Sequence, residues 1–302
     1  MFRKVVVGID GLRSDVDAIA LARAVAPTAE TYDLVTVYPD GDAQPSRGYE
    51  EYRARLRGDA ERLLEAQRAA SAIPDAEVHA IPGYAASRAL KTYAREQGAD
   101  LIVLGAAQRG TVDRALVGDV ARGVMHGAPC PVLTVAHSRS TGGDRPGRIG
   151  VAYDGSPEAE LALTTAVDLA QDLGARLDIV QAVDVAVNPV FWGPQLAEYL
   201  VSLVPLQDER MRALAESLSV EATGSAVQAT PGEALHQLST RVDLLVCGSR
   251  GWGAAGRIAF GSTADRLVHH SPCPVLVVPR GGTAEAASTA TADASATAAA
   301  NG

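Results

Sequence analysis

The clearest chemistry in this sequence lies in one glycine-rich loop, Gly248-x2-Gly251-x9-Gly261-Ser262-Thr263. It follows the apolar run "DLLVCG" and precedes "STADRLVHH", whose pattern predicts a helix with Ser262 as its N-cap. Glycine reaches backbone angles closed to other residues and lets an anion come close to the main chain. Unpaired N–H groups and the dipole at a helix N-terminus then attract negative charge. A strand, a glycine loop and a helix start, in that order, suit a phosphate group. Asp10 and Asp154 each end a first strand just before a glycine, which puts them at the strand edge where doubly wound sheets collect ligands. Both also read as turn residues. The chain has no GxxxxGK[ST] loop, and no GxGxxG follows the first strand.

The elements that must position these residues occur twice. "KVVVGIDG" (Lys4 to Gly11) returns as "RIGVAYDG" (Arg148 to Gly155), and "DLVTVY" as "LDIVQAV". "IPG" returns as "TPG", "ADLIVLG" as "VDLLVCG", and "HGAPCPVLTV" as "HHSPCPVLVV". Five matches in the same order define a tandem duplication with a period far longer than a solenoid repeat. Within the first half, apolar runs at 4–9, 34–38, 77–81, 101–105 and 132–136 alternate with stretches of three- and four-residue apolar spacing. Strands that are apolar on both faces and separated by helices predict a parallel sheet covered on both sides, hence a doubly wound α/β fold.

Composition narrows the function. The 302 residues carry a net charge of −9, which excludes a general affinity for nucleic acid or for an anionic membrane. No run of residues reads as a signal peptide or a membrane span, so the sequence predicts a cytoplasmic protein. Cys130, Cys247 and Cys273 lie in or beside Val/Leu-rich runs and read as buried hydrophobes. His126, His269 and His270 fall near the ends of the last predicted helices, where imidazole suits the carbonyl end. No acidic or thiol partners stand at fitting spacing around them, and the sequence predicts no metal centre. Residues 137–148 read as a linker, and the Ala/Thr/Ser/Gly-rich residues 281–302 as a disordered tail.

With the loop, the Asp-Gly, the "PG" and the closing "PCPVLVV" strand in place, the sequence resembles the universal stress protein family in its tandem two-domain form. The resemblance spans domains at 1–137 and 147–280. It implies two five-stranded parallel sheets of the adenine-nucleotide alpha hydrolase-like type. It also implies a site for ATP or AMP, alone or with Mg, between the first and fourth strands. Carried over to the second half, Asp154 and Ala182 flank the adenosine, and Cys247, Gly248 and Gly251 form the near side. Gly261, Ser262 and Thr263 hold the phosphates. The last strands of such domains pair, here as a homodimer or as an intrachain pseudo-dimer. The implied role is that of a nucleotide-dependent sensor or regulator in the stress response. The alternatives are a low-activity ATPase or nucleotidyl-transfer relative, and an interaction module whose nucleotide sites have decayed.

The two halves differ where it matters. Aligned without gaps, the first half keeps Gly105 and Gly118 but has Gln108 in place of Gly251 and Asp119 in place of Ser262. A carboxylate against a phosphate oxygen costs on the order of 4 kcal/mol at an effective dielectric of 20. Asp119 reads more simply as an N-cap, and the motif of the first half as degenerate. Arg250 and Arg257 are phosphate partners or solvated charges, and Trp252 stacks on a base or packs. Gly232 to Gly248 is shorter than Gly83 to Gly105, which predicts a third helix shorter by about one and a half turns in the second half. The apolar stretch 187–205 reads equally as cover for the second sheet or as a partner surface.

Overall fold

The computed structural model describes residues 1–12, 14–40, 47–105, 119–135, 144–184, 194–249 and 271–280. The first half forms β1 (Lys4–Gly8), α1 (Ser14–Val25), β2 (Thr31–Tyr38), α2 (Arg47–Ala70) and β3 (Glu77–Pro82), then α3 (Ala86–Glu96), β4 (Leu101–Leu104), α4 (Asp119–Met125) and β5 (Val132–Thr134). The second half repeats the order with β6 (Arg148–Ala152), α5 (Pro157–Leu173), β7 (Arg176–Val183) and α6 (Pro194–Glu216). It closes with β8 (Ala222–Gln228), α7 (Pro231–Ser239), β9 (Leu244–Gly248) and β10 (Val275–Val278). Helix α5 shows why such segments start and stop where they do. Ser156 caps it by accepting from Ala159 N, Pro157 opens the first turn, and Gly174 ends it in the left-handed conformation at φ 68°.

The strands make one sheet in the order β3-β2-β1-β4-β5-β10-β9-β6-β7-β8. Within each half the neighbours are parallel, and the strand order reverses between the first and fourth strands. This is the doubly wound arrangement that the alternation of runs predicts. The halves meet where β5 and β10 pair antiparallel, with Leu133 opposite Leu276. The last strands therefore pair within the chain. Both leucines are fully buried in a core that runs through both halves on the side of α1, α2, α5 and α6. A second core, with Leu90, Val124 and Leu238, fills the face under α3, α4 and α7.

Matching carboxylates fix the starts of the first strands. Asp100 accepts from Arg3 N and Lys4 N at 2.8 and 3.0 Å, and Asp243 accepts from Gly147 N and Arg148 N at 3.1 and 3.0 Å. The third helices differ less than the sequence spacing suggests. α3 has eleven residues and α7 has nine. Most of the deficit lies before the helix, because Gly83 precedes α3 whereas Gly232 is the second residue of α7. Thr230 and Glu233 form a capping box that starts α7 directly after the turn, while Ala85 at the start of α3 makes no side-chain cap. The helix is two residues shorter and the loop before it, 229–230 against 83–85, one residue shorter, so most of the expected loss reflects the different places of the two "PG" pairs.

The apolar stretch 187–205 lies partly outside the described residues. Of its described side chains, Tyr199 and Val201 are exposed on α6. Among the described residues no helix is long and apolar enough to cross a membrane.

Candidate functional site

The reversal of strand order leaves a crevice at the carboxyl ends of β1 and β4, and of β6 and β9, and ligands of open α/β sheets bind in such crevices. In the first half this is a cleft of about 370 Å³ lined by Asp10, Thr36, Val37, Leu104, Gly105 and Asp119, among others. Its size suits a small organic ligand. Strand register ties it to the second half. Val37 stands in β2 where Ala182 stands in β7, and Leu104 in β4 where Cys247 stands in β9. Asp10 and Gly105 likewise correspond to Asp154 and Gly248. The first-half counterparts of all four described candidates thus line a single cleft. Gly251, Gly261, Ser262 and Thr263 lie outside the described residues, as do Arg250, Trp252, Arg257, His269 and His270.

The Asp-Gly turns are alike in both halves. Asp10 Oδ1 accepts from Leu12 N at 3.0 Å, and Asp154 Oδ1 accepts from Ser156 N at 2.9 Å. Each glycine that follows takes a positive φ, 85° at Gly11 and 75° at Gly155, which explains its place in the sequence. Gly105 and Gly248 have a different cause. A Cβ on Gly105 would stand 2.7 Å from Ser14 Oγ, and one on Gly248 would stand 2.8 Å from Glu158 O. Close packing of the helix after the first strand therefore demands glycine at the end of the fourth strand, whether or not a ligand binds.

Cys247 is buried, as are Cys130 and Cys273. Burial pushes the Cys247 thiol up to about 12, and burial followed by the charge of Asp100 does the same to Cys130. Both remain protonated and chemically quiet near neutral pH.

Sequence reasoning missed Asp15. It looks like an ordinary acid in the first turn of a helix, yet it is almost completely buried beneath the Asp10 turn. Its oxygens accept from Asp10 N at 3.2 Å and from Gly11 N at 2.8 Å. Burial raises its pKa to about 7; the two backbone N–H groups oppose the rise, and the charge of Asp10 adds to it. The second half has Ala159 at the equivalent position. Asp15 and Asp119 thus have no acidic counterparts at the aligned positions, which hold Ala159 and Ser262.

A pH dependence follows. Between about pH 4 and pH 7 folded Asp15 holds a proton that the unfolded chain has released. Its contribution to stability therefore falls as pH rises through this window, by at most about 1.4 kcal/mol per pH unit, and levels off above it. Asp15→Asn cannot ionise. Urea unfolding of both proteins from pH 5 to pH 8 should show the variant gaining on the native chain as pH rises. Parallel curves would mean that Asp15 keeps an ordinary carboxylate pKa.

The model of the universal stress protein family matches residues 1–136 and again 146–279. The chain belongs to that family, and it carries the family domain twice. A Thermus aquaticus universal stress protein is 36% identical over 132 residues, covering 42% of this chain and 95% of its own length. The Mycobacterium tuberculosis universal stress protein Rv2005c is 30% identical over 190 residues, and the match takes in 59% of this chain and 61% of that protein. Among solved structures, a universal stress protein from Archaeoglobus fulgidus superposes with a TM-score of 0.63 at 19% identity, covering 92% of this chain and 98% of its own. That likeness establishes the fold.

Proposed function

We infer that the protein binds one adenine nucleotide, ATP or AMP, in its second half and acts as a sensor or regulator rather than as an enzyme. The carrying observation is the shared cleft: the counterparts of Asp154, Ala182, Cys247 and Gly248 line one cavity at the strand-order reversal. The loop that follows β9 supplies what the first half lacks, with Gly251 for close backbone approach and Ser262 with Thr263 as phosphate donors. Mg, where it accompanies ATP, would be held mainly by the phosphates themselves. In the first half Asp119 joins Asp10 in lining the cleft, where the second half has Ser262 in place of Asp119, and opposes a polyanion. The motif boundaries divide the molecule into a degenerate domain at 1–137 and a binding domain at 147–280. Turnover is negligible on this reading, because cradling a phosphate stabilises ground and transition states alike.

Calorimetric titration with ATP and with AMP should give a stoichiometry near one per chain. Ser262→Asp should weaken binding at least tenfold and leave the thermal midpoint close to that of the native chain, since Asp caps a helix as well as Ser does. Two sites per chain would show that Asp119 does not exclude the ligand. No heat with any adenine nucleotide would favour an interaction module with decayed sites. Phosphate release that disappears in Ser262→Asp would support an ATPase.

A further inference from the structure

The duplication provides an internal control for one cluster that lies away from the crevice. Near the amino end of β2, Asp33 is fully buried, and it pairs in register with Glu77 of β3. His79 lies two residues further along β3 and so on the same face. One carboxylate oxygen of Asp33, one of Glu77 and a ring nitrogen of His79 all lie within 4.8 Å of one another. Glu77 Oε2 and His79 Nε2 are 3.3 Å apart. Two ligands on one tetrahedral zinc, with bonds of about 2.0–2.1 Å, stand roughly that far apart.

The second half has the same frame with other residues. Asp178 takes the place of Asp33, and Arg148 Nε contacts its Oδ2 at 2.7 Å, just as Lys4 Nζ contacts Asp33 Oδ2 at 3.4 Å. Opposite Asp178 stands Thr223, whose Oγ1 donates to Asp178 Oδ1 at 3.1 Å, and the next residue on that face is Ser225. Among the described residues of the first half nothing replaces that hydroxyl. Asp33 Oδ2 accepts from Tyr93 at 3.0 Å, but Oδ1 is buried without a hydrogen-bond partner among the described residues. A buried carboxylate oxygen left unmatched is costly, and such a group calls for an explanation. Burial and the two carboxylates push the Tyr93 phenol up, so it remains a donor. Its ring lies 5.3 Å from that of His79 and borders the cluster on the α3 side.

We propose that Asp33, Glu77 and His79 form a binding site for a divalent cation of the zinc class across β2 and the edge strand β3 of the first half. One imidazole and two carboxylates suit zinc, whereas calcium asks for six or more oxygens. His79 and Glu77 are partly exposed, which gives a cation access from solvent and leaves a coordination position for water. Lys4 neutralises one carboxylate charge through Oδ2, so the cation draws on Glu77 and on the orphaned Oδ1. The sequence hides the site because strand register, not spacing along the chain, brings its ligands together.

The test copies the second half into the first. The metal-stripped full chain is titrated with zinc chloride, in parallel with a Glu77→Thr, His79→Ser double variant that reproduces Thr223 and Ser225. The native chain should take up one zinc more than the variant, or bind it at least tenfold more tightly. The metal-free variant should melt at or above the native temperature, because the threonine hydroxyl meets Asp33 Oδ1. Cobalt in place of zinc should give visible absorption bands that a single His79→Gln change removes, a readout that remains available if the double variant folds poorly. Equal zinc uptake by native and variant chains, or cobalt bands that survive His79→Gln, would overturn the proposal.

Discussion

Gly224→Ala destabilises the chain by about 3 kcal/mol or more, the upper end of what overpacking a well-filled interior does. A Cβ at this position would lie 1.9 Å from the backbone oxygen of Met211 and 2.4 Å from its carbonyl carbon. Both are main-chain atoms of α6, so no rotamer change relieves the clash. The helix must shift as a body, and its inner face carries buried Met211 and Ala215. The first half places Val78 at the same register position, so β3 carries a side chain where β8 has none. Denaturant unfolding checks the prediction directly. An unchanged midpoint would mean that α6 can lift off β8 at little cost.

Leu276→Ala, at the seam between the halves, lowers stability by about 2–5 kcal/mol through lost transfer free energy and the cavity left behind. Leu276 and its partner Leu133 are fully buried, and the same core continues on both sides of them. The cavity therefore opens where the two halves share one interior. Leu133→Ala should cost a similar amount. The double variant should cost less than the two single changes together, because both remove parts of the same contact. Calorimetric melting should show a single transition moving down in each variant. Two transitions, neither of them sensitive to Leu276, would show that the halves unfold as independent units.

The fold was legible because its signals are local. Runs such as "KVVVG" and "DLIVL" are apolar on both faces and can sit only in a covered parallel sheet, and the repeat supplied the second copy. The length of α7 was misjudged because the two "PG" pairs look equivalent. The nearby Thr230-x-x-Glu233 pattern, a capping box readable from sequence, marks the earlier helix start. Gly248 looked like a residue spared for a ligand, yet contact with Glu158 already demands it. That cause is tertiary, and no local pattern signals it. Asp15 and the Asp33–Glu77–His79 cluster were missed for the same reason, since burial and register give them their properties.

Because β5 and β10 belong to one chain, dilution cannot part them, and their pairing owes nothing to protein concentration. The covalent link also changes what mutation can do. If the halves were identical copies meeting across a two-fold axis, every substitution would enter both sides at once. Aspartate at the loop would then stand at both crevices, and threonine opposite the buried carboxylate would satisfy both. Joined end to end, each half accepts changes that its twin is spared. Asp119 can therefore stand in one crevice while Ser262 is kept in the other loop, and Glu77 can face Asp33 while Thr223 faces Asp178. Fusion freed the molecule from its own symmetry.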